Sequence, residues 1–251
     1  MSEPVKDKSV SMTFLEHLDE LRSRIWKSVI ALVAAFIVCW IFSEQLLHFL
    51  FIPIREHLFE GEDIIFINLT EPFLIKMKVS FLAAIFLVSP FILFQLWRFI
   101  APGLYPGERY FAVPFIFFST LFFVGGGLFG YYIALPITAK FLLQMGEEFK
   151  AAITLRSAFQ FESWILLGLG LIFEMPILIF FLSRLGVITP RFLISKLQYA
   201  VLIIFIVAAV ITPTGDVVTL CVFALPMVGL YLIGTLISFV FQKRGRQERS
   251  V

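Results

Sequence analysis

The side chains able to do chemistry in this chain are few, and most are carboxylates. Glu16, Asp19 and Glu20 fall at i, i+3 and i+4, so a helix over residues 13–24 gathers them on one face. Thr13 and Glu16 have the spacing of a capping box, which would start that helix. Like charges at this spacing destabilise an isolated helix by about 0.2–0.5 kcal/mol per pair. The cluster therefore asks for a cation, either Arg22 or Arg24 of the same segment or a group brought from outside; the plainer alternative is a solvated face with internal ion pairs. A second carboxylate, Glu108, precedes Arg109 at the end of Pro102-Gly-Leu-Tyr-Pro-Gly, whose prolines and glycines define a shaped connection. Carboxylates suit one partner above others, because the planar guanidinium of arginine meets them with two parallel hydrogen bonds and lysine cannot.

Three further polar groups stand in apolar surroundings. Glu174 lies inside an apolar run, where an ionisable residue is a functional candidate by default; the alternative is a neutral acid tying two helices together. Gln95 reads as a helix-to-helix hydrogen bonder. Asp216 follows Thr212-Pro-Thr-Gly and either caps the helix after it or faces a polar recess, capping being favoured. There is no metal-ligand spacing, no phosphate-binding glycine loop and no Ser/His/Asp arrangement, and His17, His48 and His57 lie far apart. No catalytic residue, metal or cofactor is expected. A net charge of +2 gives no reason to expect nucleic acid.

The elements that must position these groups are membrane spans. Of 251 residues, 60% are apolar and 15% charged, against about 45–50% and about 25% in soluble domains. With 32 Phe this is an all-α polytopic membrane protein, expected to cross the bilayer six times, over residues 25–42, 73–97, 110–135, 161–182, 197–211 and 217–241. Pro90 should kink the second span. The fifth is short, about 22 Å at 1.5 Å per residue against about 30 Å of hydrocarbon. The turn at residues 213–215 makes it one arm of a hairpin, which should thin the membrane or leave a polar notch. The connection over residues 138–160 is amphipathic and is expected to lie along the surface as a short helix, while residues 43–72 form an acidic outer loop.

Orientation follows from lysine and arginine. Of 20 such residues, only Arg55, Lys140, Lys150 and Arg156 fall opposite the termini, with Lys76 and Lys78 near the outer end of span two. Both termini are therefore expected in the cytoplasm. The chain divides into a cytoplasmic amphipathic helix (1–24), a six-span bundle (25–241) and a basic tail (242–251), with no convincing internal repeat and no cleavable signal peptide. Cys39 and Cys221 sit in apolar runs and are expected to be free thiols.

Taken together, the motifs resemble the TatC family, the multi-spanning subunit of the twin-arginine protein translocase. They are the run from Phe14 to Arg22, the run Ser89 to Tyr105 followed by Glu108-Arg109, Phe173-Glu-Met-Pro176, and Thr212-Pro-Thr-Gly-Asp216. The sequence departs from the commonest pattern at Tyr110 and at the Thr-Gly before Asp216. The resemblance implies a cupped bundle with short fifth and sixth helices in the cell inner membrane. It implies a receptor for the Arg-Arg signal of folded cargo, with Glu20 and Glu108 contacting the two arginines and Glu16, Asp19, Arg22 and Arg109 supporting them. Glu174 and Gln95 match an intramembrane groove, and Asp216 the outer hairpin. Implied partners are single-span subunits of the TatA and TatB type, further copies of the chain and the lipid bilayer, with export driven by the proton-motive force. The alternative is a proton-coupled secondary transporter using Glu174, which would need internal symmetry and a second ionisable partner.

Overall fold

In the computed structural model, residues 14–58, 61–100, 112–149, 152–184, 186–212 and 215–247 are described, with the side chains of 14–16, 100, 112–113 and 241–247 excepted. Helices make up almost all of it: α1 (Phe14–Ile41), α2 (Ser43–Leu50), α3 (Ile52–Arg55), α4 (Glu71–Ile100) and α5 (Ala112–Phe129). A five-residue π segment (Gly130–Ala134) then leads into α6 (Leu135–Met145), and the chain continues through α7 (Leu155–Phe173), α8 (Met175–Arg184), α9 (Pro190–Ser195), α10 (Leu197–Ile211) and α11 (Val217–Gln247). The sole β feature among the described residues is an isolated bridge between Ile65 and Thr154.

Five helical stretches are long and apolar enough to cross a bilayer: His17–Ile41, Glu71–Phe99, Pro114–Met145, Leu155–Arg184 and Val217–Val240. Helix is the required form there, because hydrocarbon offers no partner to an unpaired backbone N–H or C=O. The sixth apolar helix, α10, has 15 residues. Its last residue, Ile211, packs on Gly168, thirteen residues into α7, so it stops about 20 Å short of the start of α7. The shortness expected of the fifth helix is present.

Several boundaries differ from the sequence expectation. The sixth helix is not short: α11 runs 31 residues, because the apolar stretch continues through Pro226 and the helix then carries on to Gln247, into the basic tail. Helix α1 runs without interruption through residue 24, from the acidic segment into the first apolar span. Among the described residues of 138–160 there is no separate surface helix. The third span continues through the π segment to Met145, and α7 already begins at Leu155, where Thr154 and Ser157 close a capping box. The extra residue per turn of a π segment is tolerated there because Tyr131, Ala134 and Leu135 are buried against the core.

Helices pack most closely where glycine allows it. A Cβ on Gly126 of α5 would meet the Leu169 carbonyl at 2.6 Å, and one on Gly234 of α11 would meet Ile179 at 2.8 Å. Such close approach replaces the hydrophobic drive that lipid does not supply. The start of α1, the end of α4, the start of α5 and the end of α8 share one end of the bundle, the near end. His17 stacks on Phe99 at 4.4 Å, and Trp97 lies 5.0 Å from Phe115 and 5.2 Å from Phe181. At the far end, α4 and α7 begin and Phe51 is fully buried beneath them. The Tyr131 hydroxyl donates to the Phe49 carbonyl there at 2.6 Å. Cys39 and Cys221 are both free.

Candidate functional site

The acidic helix of the sequence is the first part of α1, laid against the last turns of α4. Its anchor is Glu20. Arg24, one turn later, donates to Glu20 Oε1 through both Nε, at 3.1 Å, and Nη2, and its Nη1 donates to Gln95 Oε1 of α4 at 3.3 Å. The Arg24 and Glu20 side chains are 11% and 19% exposed, so the pair is inset between the helices. Gln95 is buried and joins α1 to α4, the helix-to-helix role expected of it. Asp19 and Arg22 are exposed on neighbouring positions.

The pair does not use up the carboxylate. Glu20 Oε2 accepts no hydrogen bond among the described residues, although it is shielded from solvent, and His17 Nδ1 stands 3.9 Å from it. A shielded carboxylate oxygen without a donor is the kind of acceptor a second guanidinium can satisfy. Glu108 and Arg109, with the connection holding them, lie outside the described residues. So do Thr13 and the side chain of Glu16.

Glu174 sits at the junction of α7 and α8, where it forms the C-cap of α7. It is 8% exposed, and Ser119 Oγ of α5 donates to its Oε2 at 2.5 Å. This is the helix-tying geometry, with Oε1 left without a partner among the described residues. Asp216 caps α11: its Oδ1 accepts from the Thr219 amide at 2.6 Å.

Two carboxylates matter that the sequence reading passed over. Glu71 was counted only among the outer-loop acids, yet it heads α4, is 4% exposed and accepts three backbone amides. Those are Ile67 and Asn68 on Oε2 at 3.0 and 3.4 Å, and Arg156 on Oε1 at 2.9 Å. Its signal was the Glu71-Pro72 pair, since proline prefers the first positions of a helix. Glu162 is fully buried in α7, and neither of its oxygens accepts a hydrogen bond among the described residues. Its signal was the spacing Ala158, Glu162, Ile165, Leu166, Leu169, one buried stripe. No group of His, Cys, Asp and Glu able to hold a metal occurs among the described residues.

Fold and site define a class. This is a multi-pass helical membrane protein whose described buried ionisable groups sit at helix ends and helix seams. The chain matches the family model described as Sec-independent protein translocase protein (TatC) over residues 16–226. It is 42% identical over 241 residues to the Sec-independent protein translocase protein TatC of Koribacter versatilis, covering 95% of this chain and 89% of that one. It is 40% identical over 223 residues to the TatC of Helicobacter pylori strain J99, covering 88% and 87%. Among solved structures it is similar to a crystal structure of the twin arginine translocase receptor TatC, at TM-score 0.77 and 34% identity, covering 90% of this chain and 99% of that one. A second structure of that receptor, in the detergent DDM, gives TM-score 0.79 and 35% identity. The chain belongs to the TatC family and is a protein translocase component. The transporter alternative falls with that membership.

Proposed function

We propose that this subunit receives the N-terminal signal of folded cargo at the near end of the bundle, with Glu20 and Glu108 gripping its two consecutive arginines. The observation that carries this reading is the shielded Oε2 of Glu20, which has no hydrogen-bond donor among the described residues and lies beside a guanidinium that already occupies Oε1. Arg24 holds the carboxylate in place and an incoming arginine completes it. Glu16, Asp19, Arg22 and Arg109 give the approach its mixed charge. Each charge-assisted contact contributes about 1.5–3 kcal/mol. Two such contacts give roughly millimolar affinity, so the apolar part of the signal must add the rest by lying against the protein or lipid.

In this reading the near end faces the cytoplasm, as the lysine and arginine distribution favours. The chain crosses the inner membrane six times, with α10 as the short fifth span, and works with TatA- and TatB-type single-span subunits and further copies of itself. Glu174 and Gln95 border the groove in which a partner helix or the signal docks. The proton-motive force drives export through the assembled system.

The test is binding of a fluorescent Arg-Arg signal peptide to the full chain in nanodiscs. Glu20→Gln and Glu108→Gln should each weaken it on the order of tenfold or more. A Lys-Lys peptide should bind the wild type about as weakly as the Arg-Arg peptide binds either variant. Equal binding by wild type and both variants would sink the reading.

A further inference from the structure

An apolar groove of ≈ 660 Å³ runs between α1, α4 and α7, walled by residues such as Val33, Phe81 and Leu167. Its volume lies within the range of about 300–1,000 Å³ usual for ligand sites. At its far end the groove shares Lys78, Phe159 and Ser163 with a polar recess of ≈ 380 Å³ that adds Arg156 and Gln160. The apolar trough thus ends in two cations and two neutral hydrogen-bonding side chains.

Those cations lack a close ion pair. Neither Lys78 nor Arg156 makes an ion pair within 4 Å among the described residues; the pairs there are Glu20 with Arg24 and His17, Asp63 with Arg55, and Glu44 with Lys76. The acid beside Arg156 is Glu71, whose carboxylate is already engaged by three backbone amides. Both cationic side chains are exposed.

We infer that the groove holds an anionic phospholipid, its phosphate on Lys78 and Arg156 with the Gln160 amide as a further donor, and one acyl chain along α7. Length fits this occupant. From Arg156 to Leu167 the groove covers about 17 Å of helix, half of the roughly 30 Å hydrocarbon core. That is one leaflet, whereas a membrane-spanning helix would outrun it. Charge fits as well, because a phosphate supplies the close ion pair that neither Lys78 nor Arg156 makes among the described residues. Basic pockets between transmembrane helices are a recurring way to select anionic headgroups.

Native mass spectrometry of the full chain, released from micelles containing either phosphatidylglycerol or phosphatidylcholine, tests this without any variant. The wild type should retain one phosphatidylglycerol on the order of tenfold better than phosphatidylcholine, as expected for charge-assisted contacts. The double variant Lys78→Ala, Arg156→Ala should lose that preference, and the charge-keeping Lys78→Arg should retain it. Lys140→Ala, an exposed cation outside the groove, should leave it unchanged. Ser163→Trp, which fills the groove, should reduce retention of both lipids. Equal retention of the two lipids by the wild type overturns the inference. So does an undiminished preference in the double variant, or displacement of the lipid by a signal peptide with no phosphate requirement.

Discussion

Two carboxylates at opposite ends of α4 show how one functional group takes two roles. Glu71 heads the helix and both of its oxygens are engaged, so that three backbone amides from two separate segments converge on it. Glu20 meets the other end of α4 from α1. One oxygen is held by Arg24, and the other accepts nothing among the described residues. The first fastens the loop before α4 to the start of α7. The second is held in place and left incomplete. A carboxylate that lacks a donor is where a ligand can contribute binding energy, whereas one engaged at both oxygens has only stability to lose.

The largest expected effect separates them on that ground. Glu71→Ala leaves three amides without their acceptor, and should lower the melting temperature of the purified chain in detergent by more than any change at Glu20. The loss should leave signal-peptide binding by the surviving folded fraction unchanged. If Glu71→Ala proved milder than any change at Glu20, the contrast between a fastener and an open acceptor would be broken.

Much of this arrangement was legible in the sequence, and the parts that were not share a cause. Five long helices and one short one follow from apolar length alone, since hydrocarbon thickness leaves little choice. Ends are harder, because a polar residue near a span end looks the same whether it lies in the headgroups or two turns inside. Starting span four at residue 161 put Glu162 at the surface. Starting it at Leu155 carries Glu162 inward among Ala158, Ile165 and Leu166. Lys140 and Gln144 likewise broke the apolar run and hid the continuation of span three to Met145. Glu71 was invisible as a fastener because two of its three donors come from a loop with no pattern and the third from α7, 85 residues away. Glu20 was visible because its partner, Arg24, is one turn along the same helix.

The middle effect tests the near end by itself. Glu20→Gln keeps the shape of the side chain and an acceptor for Arg24, and removes only the charge. Its cost in stability should be about 1 kcal/mol or less, as for a partly exposed pair within one helix. Its cost in signal binding should exceed that. Gln95→Leu removes the hydrogen bond from Arg24 across the seam and should cost a similar, small amount of stability. Should Glu20→Gln destabilise the fold as much as Glu71→Ala, Glu20 would be a second fastener and no longer a receptor group.

The smallest effect comes from a third carboxylate, more exposed than either of the other two. Glu44 at the start of α2 accepts from Lys76 Nζ of α4 at 2.7 Å, with the Glu44 side chain 77% exposed. The Lys76 hydrogen bond, followed by the lysine charge, holds the Glu44 carboxyl below its ordinary value of 4.5. A depressed acid favours the folded state at pH above its unfolded value, and that contribution is lost as the pH falls through the lower folded value. Wild-type stability should therefore exceed that of Glu44→Gln at neutral pH, and the gap should close on acidification as the pH falls through the lowered folded value of Glu44. Solvent screening keeps the gap below that expected at Glu20. Melting curves of both proteins across that range decide it. A gap that persists at low pH would show that Lys76 is held by packing and not by the charge of Glu44, which would leave Glu71 as the chief acidic fastener of the far end.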